Sequence, residues 1–222
     1  MAKSRNGLVS AGITVLGFFF LLLAFTSHSW VVSNGRIQDP QFQSIGLWSI
    51  CLTGFEEFHH WYDTKFYGCW WVFEEEYYII HDFLFPGFFI STQIFMLMCF
   101  LASLVSTFLV ALYMCCSRTQ EKFILLLRVI SGNAALSAFT GTIALIIFGI
   151  YGDSRDWLPH WESNDIGWAY YSAVCGVLLN YTAAILYFIE SRAHTIKKRK
   201  TLAAQSAYHM EQRRDLSHHT EI

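Results

Sequence analysis

Apolar positions crowd into four stretches of the chain: about Leu8–Phe25, Gly87–Met114, Val129–Tyr151 and Trp168–Ile189. None of the four contains Asp, Glu, Lys or Arg. A segment that is apolar all round belongs in a large core or in lipid. About 20 such residues, rising 1.5 Å each, cross the hydrocarbon of a bilayer. Each stretch is long enough, and Gly87–Met114 has residues to spare for tilt or projection. The pattern predicts four transmembrane helices, with buried helices of a soluble core as the competing reading. The first stretch has a basic start, and Ser27-x-Ser29 resembles a weak cleavage site. Signal-peptide cores are usually about 7–15 residues, so the longer run reads as a retained helix.

Composition sharpens this picture. Charged residues make up 14% of the 222, against roughly 25% in soluble domains. Four spans put both termini on one side. That side holds twelve basic residues, among them Lys3, Arg118, Arg128, Lys197, Lys198, Arg199 and Lys200, and the other holds Arg36, Lys65 and Arg155. Basic loops stay in the cytosol, which predicts cytosolic termini. The loops left outside, about 28–85 and 152–167, carry net charges of −6 and −3, and the cytosolic parts carry +7. Topology does not require that acidic excess, because acids contribute little to orientation. The chain reads as one four-span domain over 1–190, followed by a polar cytosolic tail over 191–222.

Topology also sorts the six cysteines. Cys51 and Cys69 are the two outside. In oxidising surroundings they most simply pair with each other, with free thiols or an intermolecular bond as alternatives. Cys115 and Cys116 end the second stretch on the cytosolic side, where cysteines are common palmitoylation targets; plain interfacial residues are the other reading. Cys99 and Cys175 lie inside helices as small packing residues. Around the outer pair, Lys65-Phe66-Tyr67 and Trp70-Trp71-Val72-Phe73 have the aromatic and β-branched character of strands. Gly54 and Gly68 suit turns or close approach. The loop predicts a small antiparallel sheet resting on the helix ends, with Trp30 as an interfacial anchor and Trp48 packing on the same patch.

Trp30, then Gly46-Leu47-Trp48, then Cys51 and Cys69, resembles the W…GLW…C…C signature of the claudin family and of its peripheral myelin and epithelial membrane relatives. Arg128 followed by Gly132 and Gly141 is similar to that family's third helix. Asp165-Ile166-Gly167-Trp168-Ala169 is similar to the start of its fourth. The gap between the cysteines exceeds the usual vertebrate one, and His81-Asp82 stands where a basic residue is often found. Gly68-Cys69-Trp70-Trp71 followed by Glu74-Glu75-Glu76 looks like invertebrate septate-junction claudins, including the insect Megatrachea and Sinuous group. The resemblance implies a left-handed four-transmembrane-helix bundle with a small extracellular antiparallel β-sheet. It implies a structural role in a paracellular barrier, with itself or other claudin-like proteins as partners in cis and in trans. A tetraspan of the same fold serving as an auxiliary subunit or membrane organiser is the alternative.

In that setting Glu56, Glu57, Asp63, Glu74, Glu75 and Glu76 are candidates to line the space between cells. Acidic linings favour cations, though a charge run also simply solvates a face. Phe58, Trp61, Tyr62, Trp157 and Trp161 are candidate contact residues, since aromatics supply large rigid area; packing on the protein's own sheet competes. Thr220-Glu221-Ile222 has the pattern that PDZ domains read by strand addition. Lys197–Lys200 is placed to attract anionic membrane lipids, or acts only in setting topology. Glu56, Glu57, His59 and His60 form the most tempting metal cluster, but adjacent histidines on a strand point to opposite faces and spacing fixes no third ligand. No catalytic motif, cofactor, metal or nucleic-acid site is predicted. The spans offer Gln93, Asn133 and Asn180, none of them charged, which argues against a transporter.

Overall fold

The computed structural model describes residues 4–36, 40–55, 65–75, 84–115, 122–152, 157–158 and 161–220, the side chains of 161 and 214–220 excepted. Four helices dominate: α1 (Arg5–Thr26), α2 (Gly87–Cys115), α3 (Phe123–Tyr151) and α4 (Trp168–Thr220). All four are long and apolar enough to cross a membrane. Helix α1 packs on α2 and α4, and α3 packs on the same two, so the bundle follows chain order. Ser4 caps α1, its hydroxyl accepting from Gly7 N–H at 2.9 Å.

Small and polar residues recur inside the bundle beside large ones such as Leu21, Met96, Leu127 and Tyr187, and the outside is large and apolar. Gly7, Ser10, Thr14, Gly17, Leu21 and Ala24 of α1 are buried, a seven-residue repeat. Ala169, Ala173, Val177, Asn180, Ala184 and Tyr187 repeat in the same way along α4. Such a repeat winds neighbouring helices left-handedly. Phe19, Phe108, Phe139, Ile150 and Leu178 point outward. Lipid is as apolar as leucine, so close backbone approach and interhelical hydrogen bonds hold the helices instead.

Asn180 and Asn133 serve that purpose. Asn180 Nδ2 reaches Ser137 Oγ at 3.1 Å and Ser103 Oγ at 3.3 Å, and Ser137 Oγ donates to Cys99 O at 2.8 Å. Asn133 Nδ2 donates to Ala102 O at 2.6 Å and Ser106 Oγ at 2.8 Å. Gln93 Nε2 leaves the bundle altogether and donates to Leu47 O at 2.6 Å, tying α2 to the sheet.

Five strands form that sheet: β1 (Val31–Ser33), β2 (Phe42–Ile45), β3 (Ser49–Phe55), β4 (Phe66–Trp71) and β5 (Asn164–Ile166). Their order is β4-β3-β2-β1-β5, antiparallel throughout. Strand β5 comes from the second loop, which the sequence pattern gave no reason to place in the sheet. Strand β4 ends at Trp71, so Val72 and Phe73 form a turn where strand was expected.

Helix α4 also differs from expectation. The polar tail over 191–222 is helical as far as Thr220, continuous with the fourth span. Lys, Arg, Gln, Glu and Ala are good helix formers, and no Gly or Pro interrupts 177–220. Glu190, on the first turn past the apolar run, is buried: it accepts from the Ser4 hydroxyl and lies 3.1 Å from His194 Nε2.

Candidate functional site

The sheet is clamped to the bundle by the residues of the tryptophan and glycine motif. Trp30 is fully buried. Its indole N–H donates to Ala24 O at 2.7 Å, and its ring meets Phe148 at 4.9 Å and Tyr170 at 5.9 Å, both edge-on. It is a core residue, not the interfacial anchor the sequence suggested. An indole at a headgroup boundary and one under a sheet sit at the same chain position, and only the strands that follow decide between them. Its backbone joins both neighbours in the sheet, donating to Ile45 O at 2.9 Å and accepting from Gly167 N at 2.8 Å.

Gly46 is needed because a Cβ there would run into the backbone of Ser27, and Gly167 faces the backbone of Ser29 in the same way. Leu47 is fully buried, with its carbonyl held by Gln93. Trp48 packs on Phe25 at 5.3 Å and near Phe73 at 6.4 Å, and its carbonyl accepts from Val72 N at 3.0 Å. Each member of the motif thus fixes the sheet to the helix ends.

A disulfide joins Cys51 and Cys69, which face each other in register across β3 and β4. The cross-link spans 18 residues in sequence, for which chain entropy gives about 3 kcal/mol. Among the described free cysteines, Cys99 is buried, whereas Cys115 at the end of α2 and Cys175 are exposed. Cys116 lies outside the described residues.

Strand β4 forms one edge of the sheet, and from Tyr67 to Trp71 every side chain is exposed. Gly54 and Gly68 have positive φ, at 68° and 95°. The Tyr67 ring lies over Gly54 on the neighbouring strand. The Trp70 indole folds back beside Gly68 and donates to Tyr67 O at 2.7 Å. Trp71 packs edge-on against Phe73 at 5.2 Å, and Phe73 stacks on Phe85 at 5.1 Å. Tyr67, Trp70, Trp71 and Phe73 are each 45–59% exposed. Contiguous aromatic surface of this kind marks interaction sites. Glu74 and Glu75 follow at once, both exposed, and Asp165 of β5 and Glu162 beside it are exposed at the opposite edge.

The aromatic edge was missed as a contact surface because Trp70-Trp71 reads as a half-buried strand. The clue was the strand's position next to Gly68, which removes the side chain that would have continued alternation. Trp157 corrects the opposite error. Expected at an exposed loop tip, it is buried against Phe88, Phe89 and Phe148 at 4.9, 5.3 and 6.1 Å. The other contact candidates, Phe58, Trp61 and Tyr62, lie outside the described residues, as do Glu56, Glu57, Asp63, Glu76, Glu221 and Ile222, the His59–His60 pair and the side chains of Trp161 and Thr220. Among the described residues no group of three His, Cys, Asp or Glu could hold a metal ion.

The profile of the family described as PMP-22/EMP/MP20/Claudin tight junction matches residues 15–189. The chain belongs to this family. The match takes in all five strands, the whole of α2 and α3, the apolar part of α4 and α1 from Val15 onward. No curated protein matches the chain. The claudin-like fold accounts for the motif geometry: one sheet per molecule, closed by strands from both loops and seated on a four-helix bundle.

Proposed function

We propose that this claudin-family protein is a structural component of a cell–cell junction that forms or supports a paracellular barrier. The sheet faces the extracellular space and both termini face the cytosol, as the twelve-to-three division of basic residues favours. The observation that carries the reading is the aromatic edge of β4. Tyr67, Trp70 and Trp71 are held in fixed positions on a cross-linked strand and are left open to solvent. Rigid aromatic area of this kind suits contact with other copies, or with related claudins, in one membrane or across to the next cell. The long cysteine gap and the Gly68-Cys69-Trp70-Trp71 run favour a septate-junction type.

Glu74 and Glu75 sit beside that edge; together with Glu76, the next residue in sequence, they give the lining a preference for cations. The cytosolic side supports the junction through the Thr220-Glu221-Ile222 end bound by a PDZ scaffold and through acylation of Cys115 and Cys116. Depleting the protein from an epithelium and following a cell-impermeant dye tests the barrier. Dye should pass through lateral junctions between living, polarised cells. Continued exclusion, with depletion verified and relatives absent, would favour the auxiliary-subunit alternative. Joint replacement of Glu74, Glu75 and Glu76 by Gln should lower the cation-to-anion permeability ratio at unchanged surface expression; an unchanged ratio removes the selectivity claim.

A further inference from the structure

At the terminal side of the bundle, α3 and α4 bring arginines together along one seam. Arg128 lies inside α3, and its guanidinium meets Thr195 Oγ1 of α4 at 3.3 Å. Among the described residues that hydroxyl is the one acceptor recorded for its five N–H donors. On α4, Arg192 sits three residues before Thr195 and Arg199 four residues after it, so both share its face. Arg192 lies over the Phe188 ring, 5.5 Å from its centroid, which holds its charge back toward the membrane. Arg128, Arg192 and Arg199 are all exposed. The acid nearest in sequence, Glu190, is turned away: it is buried on Ser4 and His194.

Immediately toward the membrane the seam becomes apolar. Ser131 Oγ donates to Ala184 O at 2.8 Å and closes the helices together. Outside that contact lie Val129, Ile185 and Phe188, exposed to lipid, and Gly132, above which there is open space. Guanidinium groups bind phosphate oxygens in pairs of parallel hydrogen bonds. Basic pockets between transmembrane helices on the cytosolic side suit lipid headgroups. The three charges come from two helices, with an apolar track leading away from them.

We propose that this seam is a binding site for a polyphosphoinositide, its phosphates held by Arg128, Arg192 and Arg199 and its acyl chains lying over Gly132 and Phe188. A headgroup with several phosphates matches three arginines that no acid meets among the described residues better than one with a single phosphate. The site is distinct from general attraction to Lys197 and Lys198. Its leaflet rests on the orientation proposed above, and the test separates the two.

The test uses the full chain in neutral detergent micelles with dioctanoyl phosphatidylinositol bisphosphate, read by native mass spectrometry. Micelles have no leaflets, so binding there reports the seam alone. Protease access to a C-terminal tag in intact cells reports orientation alone. Saturable binding is expected, stronger than for dioctanoyl phosphatidylserine. Arg128→Gln should weaken it about tenfold, the value of one lost charge-assisted contact, and Arg128→Lys by less. Arg199→Gln, in the part of α4 beyond the bundle where folding is not at stake, should also weaken it. Two results would overturn the site: wild-type binding by both glutamine variants, or a loss in the Lys197→Gln/Lys198→Gln variant as large as that of Arg128→Gln.

Discussion

At the β5 edge the sheet is tied down. Strand β1 pairs with β5 there, Gly167 N donates to Trp30 O, and Ala169 N donates to Ser29 O at 3.2 Å as α4 begins. Trp30 fills the space beneath. At the β4 edge no strand among the described residues pairs beyond it, and Tyr67, Trp70 and Trp71 face outward. Trp30 beside the first edge is core, whereas Trp70 and Trp71 on the second are surface. Tryptophan content therefore says little about role in this loop. What decides is whether a following element returns to cover the strand.

That contrast can be broken by substitution. Trp30→Ala should cost about 3–5 kcal/mol, because it empties a buried aromatic site and leaves Ala24 O without its indole donor. A large drop in thermal midpoint in detergent, with retention inside the cell, is the expected outcome; a midpoint near wild type would mean that the edge is not anchored there. Cys51→Ser with Cys69→Ser should cost about 3 kcal/mol by chain entropy. Its effect should fall on the sheet, seen as faster amide exchange in β3 and β4 than in the helices. Uniform exchange across sheet and bundle would show that the cross-link stabilises the whole molecule equally. Trp71→Ala should be smallest for stability, within about 0.5 kcal/mol as for surface changes, while reducing lateral association of the full chain in cross-linking assays. Equal damage to fold and association would erase the distinction between the edges.

The same contrast explains what was readable beforehand. The four spans were plain from unbroken apolar runs, and the disulfide from the position of Cys51 and Cys69 outside the membrane. Strand β5 was not, because three residues, Asn164-Asp165-Ile166, carry no pattern of their own and become a strand only by pairing with β1. Trp30 and Trp157 were misjudged for a related reason: their burial depends on segments far away in sequence. The helical continuation of α4 was legible in composition but hidden by its charge, which reads equally well as a solvated tail. Of the aromatic edge, the residue types were visible and the exposure was not. The arginine seam joins Arg128 to a helix that begins forty residues later, and no local pattern links them.

The pairing of β1 with β5 fixes an order of events. Strands β1 to β4 are available once the first loop has been made, but the last strand arrives only with the segment that leads into α4. Closing that pair brings together residues on either side of α2 and α3, the kind of distant contact that forms late. Until the fourth span is threaded, β1 presents a bare edge above the membrane, a surface on which other strands readily pair. Closure of the sheet is then a record that the second loop has reached the first, and a chain that stops short of it keeps an open strand edge.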